Sequence, residues 1–228
     1  TDIDPNTNAP YEIPDEPKIL ATMQLIFRPD GSRNYLTDIT NDSFLNYNGR
    51  VGIELRGSSS QVLDKKPYGF TTLLDDNESN NNVSLMGMPS ENDWVLNSLA
   101  YDPSMIRDYL SYTLAANMGN YAPRVKYIEV IVNDDYKGVY ILTEKIKRDS
   151  DRVNLKKIDD EDIDFPEVTG GYIVKADKTT GGDVVAWTMP NYGGWETDFL
   201  HHYPKTEDIT AEQAAYIETV FRDLETQT

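Results

Sequence analysis

The chain has 228 residues, 39% apolar and 11% aromatic, enough for one large domain or two small ones around a buried core. A net charge of −18 argues against nucleic acid as a partner, because phosphate neutralisation needs clustered Lys and Arg; it suits a basic partner or divalent cations instead. The absence of cysteine excludes disulfides, thiolate metal sites and a cysteine nucleophile, and no apolar run approaches the roughly 18 residues of a membrane span.

Taken in order, residues 1–17 carry five acids and four prolines without an apolar period, and are expected to form a flexible acidic linker. The start at Thr1, with neither Met nor signal peptide, reads as a processed product. One α+β domain is expected over residues 18–228 as the N-terminal part of a longer protein. Residues 18–27 read as its first strand, stopped at Pro29-Asp30-Gly31, and residues 32–49 as mixed and turn-rich. The alternation of Val51, Ile53 and Leu55 predicts a strand over 50–56.

The small polar loop Gly57-Ser58-Ser59-Ser60-Gln61 follows, then the basic Lys65-Lys66-Pro67-Tyr68 and a strand over 70–74. Loop amides and hydroxyls between two strands can hold an anion. Residues 75–82 are loop, and residues 94–99 are a short run expected to be buried. Asp102 as N-cap and Pro103 at the first helical position predict a helix over about 103–118, ended by Gly119. Its stripe of Met105, Ile106, Tyr109, Leu110, Tyr112, Thr113, Ala116 and Asn117 is expected to face the core.

Residues 126–132 and 136–142 are β-rich and separated by Asn133-Asp134-Asp135, which predicts a β-hairpin. Its second strand delivers Glu144 and then a charged tail, Lys145 to Arg152. The acid run at 159–164 lacks the glycine and spaced Glu of a calcium loop and reads as solvated. Gly170-Gly171-Tyr172-Ile173-Val174 begins another strand, Gly181-Gly182 marks a turn, and residues 183–189 read as a strand. Tyr192-Gly193-Gly194-Trp195 is a loop, and Thr210 caps a final helix over about 211–224.

Several chemistries find no support. His201 and His202 are adjacent, so on a strand they point to opposite faces and do not share a metal; no metal site is assigned. No nucleophile elbow, Walker loop, GxGxxG or HExxH occurs, and carboxylates are too abundant to single out a glycosidase pair.

Five stretches in order resemble the CotH kinase family, atypical protein kinases named from a spore-coat protein. They are Arg56-Gly57-Ser58-Ser59 with Lys65-Lys66-Pro67-Tyr68; Asp93-Trp94-Val95-Leu96 with Asp102 and Arg107; Tyr121-Ala122-Pro123-Arg124 with Glu129-Val130 and Tyr136-Lys137-Gly138-Val139-Tyr140; Leu142-Thr143-Glu144-Lys145-Ile146 with Arg152-Val153-Asn154; and Gly170-Gly171-Tyr172-Ile173. The likeness covers about residues 18–178.

The resemblance implies a mainly antiparallel β-sheet with two helices, like an atypical protein-kinase N-terminal lobe. It also implies phosphoryl transfer from ATP with Mg²⁺ to protein Ser/Thr. Arg56, Ser58, Ser59, Ser60 and Lys66 are the expected nucleotide-binding residues, and Glu144 is expected to orient a lysine, Lys66 or one near Lys145. The family's catalytic Asp motifs lie further towards the C-terminus, and no Asp-x-x-x-x-Asn or Trp-Asp-x-Asp follows Gly171 here. The chain is therefore expected to hold nucleotide without turnover.

The acidity, the trimmed start and the aromatics Trp187, Tyr192 and Trp195 support a competing expectation. This is a non-catalytic extracytoplasmic module that binds carbohydrate or protein, or a coat-type structural protein. Oligomeric state is left open by the sequence.

Overall fold

The computed structural model describes residues 1–179, 183–191 and 193–226. The Gly181-Gly182 turn and Tyr192 lie outside the described residues. The chain divides into two compact units, 1–145 and 146–228. Its architecture is α+β, with antiparallel sheets and two helices.

The first unit contains β1 (Ile3–Asp4), β2 (Ala9–Pro10), β3 (Ile19–Ile26), β4 (Leu45–Leu55), β5 (Tyr68–Leu73), β6 (Asp93–Asn97), α1 (Arg107–Asn117), β7 (Val125–Val132) and β8 (Asp135–Glu144). Strands β3 to β8 form a six-stranded sheet in the order β3-β4-β5-β6-β8-β7, every pair antiparallel. The segment read as a linker carries the two-stranded β1–β2 ladder, and Asp2 is paired with Arg50 at 2.6 Å.

One face of this sheet buries Val51, Phe70, Trp94, Tyr140 and Leu142, with Leu85, Met86 and Met88 of the β5–β6 connection packed into the same core. Each such side chain, fully withdrawn from water, contributes about 2–3 kcal/mol. Strand β5 is buried at all six positions, so it shows no alternation of polar and apolar residues.

The expected hairpin is present as β7 and β8. Asn133 (φ 51°) and Asp134 (φ 63°) both adopt the left-handed conformation, which a two-residue type I′ turn requires and short polar side chains tolerate. Gly138 (φ 88°) lies at a register shift, opposite Val130.

Strand β4 begins at Leu45, five residues before the expected start. Asn48 and Gly49 lie in the stretch read as turn-rich, yet they pair with Gln24 and Met23 of β3, and Asn46 falls at a register shift in the same ladder. Gly49 is in place because the Tyr47 ring lies over it: a Cβ there would stand 2.9 Å from the phenolic oxygen, which donates to Arg50 O at 2.7 Å.

The helix expected from Pro103 starts at Arg107. Met105 takes a left-handed φ of 55°, which breaks any helix begun at 103. The Asp102 carboxylate instead spans both segments, accepting from Ser104 N at 3.0 Å through one oxygen and from Ile106 N and Arg107 N at 3.0 and 2.9 Å through the other. The C-terminal stop is as expected, with Gly119 (φ 85°) donating to Ala116 O.

The expectation that this helix turns its apolar stripe to the core is overturned. No residue of α1 is buried, and Leu110 and Leu114 are about half exposed, at 48% and 52%. The partly covered positions include Asp108, Tyr112 and Ala115, which share the i, i+4, i+7 helical period. Asp108 accepts from Asn97 Nδ2 at 2.6 Å, and Tyr109 stacks on Tyr127 of β7. Two stripes share one periodicity here, and the polar one provides the anchor to the sheet.

The second unit contains β9 (Ile173–Ala176), β10 (Trp187–Pro190), β11 (Glu196–Tyr203) and α2 (Ala211–Thr226). Its sheet has the order β10-β11-β9. Trp187, Met189 and Ile217 form a small core with Phe199 and Phe221. The strand expected over 183–189 is confined to β10, and Val184 and Val185 are exposed.

Thr210 caps α2 as expected: its Oγ1 accepts from Gln213 N, and Gln213 Oε1 accepts from Thr210 N, both at 3.3 Å. Gly171 (φ 45°) is required by a close approach, since a Cβ there would lie 1.8 Å from Lys156 O. His201 and His202 do diverge, His201 facing the Trp187 ring and His202 Nε2 meeting Ile146 O at 2.8 Å.

Candidate functional site

The Gly57–Gln61 loop joins β4 to β5 and closes on itself. Gly57 has φ 91°, and a Cβ there would stand 2.2 Å from Ser60 Oγ, so only glycine lets the Ser60 hydroxyl fold back over the loop. Gln61 N donates to Ser58 O at 3.2 Å, and Gln61 Nε2 donates to Gly57 O at 2.6 Å. Tyr101 donates its hydroxyl to Ser59 O at 2.9 Å, tying the loop to the segment that precedes α1.

A cleft of about 330 Å³ opens beside this loop, lined among others by Arg56, Gly57, Ser60, Asn97, Asp102 and Asp108. The sequence singles out Arg56, Ser60 and the Asp102 cap separately; the fold brings them to one cleft. Asn97 and Asp108 belong to it too, and only the pairing of β6 with α1 identifies them.

The expected site residues do not all share one face. Leu55 pairs with Tyr68, and Phe70 with Trp94, on the core side, so Arg56 leaves β4 on the opposite side with Glu54. Glu144 stands directly opposite Trp94 and therefore belongs to the core side. Its carboxylate is buried; Oε2 accepts from Arg124 N at 2.8 Å and both oxygens meet the Arg124 guanidinium at 3.1 Å. The cation seen against Glu144 is thus an arginine from the segment leading into β7.

Lys66 donates its ammonium to Gln61 O at 2.7 Å, bracing the serine loop from behind. Its neighbour Lys65, which sequence reasoning passed over, reaches further in. The Lys65 ammonium donates to Val139 O at 2.5 Å and lies 4.7 Å from the Tyr140 ring centroid, and burial lowers its pKa. Tyr140 in turn donates its hydroxyl to Lys66 O at 2.9 Å, so the basic pair is tied to β8 from both sides.

Asp102 is the most strongly perturbed acid of this cleft. The Ser104 hydroxyl first, then the Arg107 amide, hold its pKa down to about 2. A depressed carboxyl contributes stability that is present above its unfolded value, about 3.9, and lost as pH falls through the folded one. Acid titration should therefore loosen the start of α1 between about pH 4 and pH 2, read by amide exchange of Ile106 and Arg107. In Asp102→Asn this step should vanish, and an unchanged step would assign it to another group.

Three Asp-x-x-x-x-Asn spacings occur upstream of Gly171: Asp75 to Asn80 and Asp76 to Asn81 in the polar loop after β5, and Asp149 to Asn154. Asp76 Oδ1 accepts from Glu78 N and Ser79 N at 3.0 and 2.8 Å, and Asp149 Oδ1 accepts from Asp151 N at 2.8 Å and from Arg152 Nη1 at 3.4 Å, so each closes a turn. The three aromatics of the competing expectation separate: Trp187 is core, Tyr192 lies outside the described residues, and Trp195 is 77% exposed, its backbone N–H donating to Asn191 Oδ1 at 3.2 Å.

Among the described residues no three His, Asp or Glu side chains cluster as metal ligands, and no helix is long and apolar enough to cross a membrane. A search of curated proteins returns no match. A family model described as CotH kinase protein matches residues 53–228, which includes the serine loop, the cleft, the hairpin and all of the second unit.

Proposed function

The chain belongs to the CotH kinase family, and we propose that its first unit holds the nucleotide for phosphoryl transfer from Mg·ATP to Ser/Thr hydroxyls of a protein. The observation that carries this reading is the cradle at Gly57, where the space a Cβ would need is taken by the Ser60 hydroxyl at the mouth of the cleft. A tight polar loop with an arginine beside it suits an anion with several oxygens.

The residues present fit the phosphates better than they fit a bare metal ion. Arg56 supplies the fixed positive charge, Ser60 and the loop amides supply donors, and Lys66 braces the loop through Gln61 O. When bound, Mg·ATP supplies the γ-phosphoryl group, with the metal neutralising its oxygens. Asp102 and Asp108 line the same cleft, and one or two carboxylates beside phosphate oxygens are what Mg²⁺ commonly uses. Asp108 is also held by Asn97, which fixes its side chain at the cleft.

These two acids make nucleotide binding depend on the metal. Uncomplexed ATP would meet two carboxylates in the cleft, offset by Arg56 in its lining and by Arg107, 3.6 Å from Asp102, so chelating Mg²⁺ should weaken binding by about tenfold or more. Calorimetric titration with Mg·ATP, repeated with ATP in excess EDTA, tests the assignment. Heat with the first and little with the second is expected. No heat at millimolar Mg·ATP would remove the reading, and equal affinity without metal would remove the role given to the acids.

A further inference from the structure

The six-stranded sheet curls without closing, and its two edge strands, β3 and β7, line one cavity of about 180 Å³. Side chains alternate across a strand, so a pocket on one face touches every second residue. Here consecutive residues line it, 21–25 on β3 and 128–132 on β7. The cavity therefore reaches the outside through the gap between the two strand edges. Its inner wall is apolar, built from Leu25, Val51, Phe70, Leu96 and Leu142.

We propose that this cavity is a binding site for a small amphiphile, with an apolar tail of about six to eight carbons or one aromatic ring inside and an uncharged polar head at the opening. Size supports the tail: apolar cavities of about 150 Å³ stay dry and take up benzene, because water there lacks the two to four polar partners it needs.

The opening supports the head. Thr22, Gln24 and Asn133 are uncharged and line the cavity with the strand edges, the Thr22 hydroxyl accepting from Arg50 Nη1 at 2.9 Å. The charged side chains beside them are engaged, Glu129 accepting from the Tyr136 hydroxyl at 2.6 Å and Arg50 pairing with Asp2 at 2.6 Å. The inner wall belongs to the core side of the sheet, opposite the side on which Arg56 leaves β4, so this site does not depend on the nucleotide reading.

A series of 1-alkanols from butanol to decanol, titrated by calorimetry into the whole chain, tests the proposal. Affinity should rise about fourfold per methylene while the tail fills the cavity, then stop rising at about six to eight carbons. Ala21→Leu places a larger side chain into the cavity at a buried position of β3, and should weaken hexanol binding at least about tenfold without lowering the melting temperature.

Met23→Phe, at a partly buried position on the same strand, should do the same if Ala21→Leu does not fold. Affinity that keeps climbing through decanol, or a folded filling variant that binds hexanol as well as the native chain, would place the alkanols on exposed surface such as Leu110 and Leu114 and overturn the proposal. Absence of binding by every alkanol would overturn it as well.

Discussion

Replacing Glu144 with alanine is expected to cost about 3 kcal/mol and lower the melting temperature by about 6–12 °C. Its side chain is fully withdrawn from solvent, directly across from Trp94, and accepts hydrogen bonds from the backbone and guanidinium of Arg124. Alanine removes these acceptors and leaves a void beside the largest side chain of the core. The stranded-cation contribution is small, because the Arg124 side chain is 46% exposed.

Glu144→Gln keeps the shape and one acceptor for Arg124 N, so it should cost about half as much. The pair separates two roles for this carboxylate. A folded Glu144→Gln that binds Mg·ATP with native affinity makes Glu144 a structural clamp between β8 and the segment entering β7. A loss of affinity in that folded variant would instead tie it to the nucleotide, and a melting temperature within about 2 °C of native for Glu144→Ala would refute the clamp.

How far such features can be read from sequence varies with the kind of information they use. The β7–β8 hairpin was legible because alternation and turn chemistry are local, and Asn133-Asp134 supplies two left-handed positions in the chain itself. The α2 cap was legible for the same reason, through Thr210 and its partner three residues on.

The inward face of α1 was not legible. Met105, Ile106 and Leu110 of the expected stripe lie exposed, while the contact with the sheet runs through Asp108, outside that stripe, and Tyr109, within it, whose partners Asn97 and Tyr127 lie on other strands. Strand β11 was missed because its alternation combines Phe199 and His201 with acidic neighbours, and the packing of that face comes from Trp187 across the sheet and Phe221 of α2. The partner of Glu144 was hidden likewise. The sequence places basic residues on both sides of it, and only the closeness of the β7 entry to the end of β8 selects Arg124.

The serine loop combines both kinds of information, and it carries the second large expected effect. Gly57→Ala should reduce Mg·ATP affinity at least about tenfold, with a smaller change in stability. An L-residue at φ 91° is strained by about 1–3 kcal/mol, and the new Cβ would overlap the Ser60 hydroxyl at 2.2 Å. The loop relieves both by opening, which moves Ser60 away from the cleft it shares with Arg56.

Arg56→Ala should weaken binding by about 10-fold to 150-fold, the range of one charge-assisted hydrogen bond of about 1.5–3 kcal/mol. It leaves the loop closed, because the Arg56 backbone N–H still donates to Pro67 O and Gln61 still holds Gly57 O. The two variants therefore fail for different physical reasons. Raising salt should narrow the gap between native and Arg56→Ala, whose loss is electrostatic, and leave the Gly57→Ala deficit in place, since that loss is one of shape. Native affinity in a folded Gly57→Ala would show that the phosphates are held elsewhere, whatever Arg56 contributes.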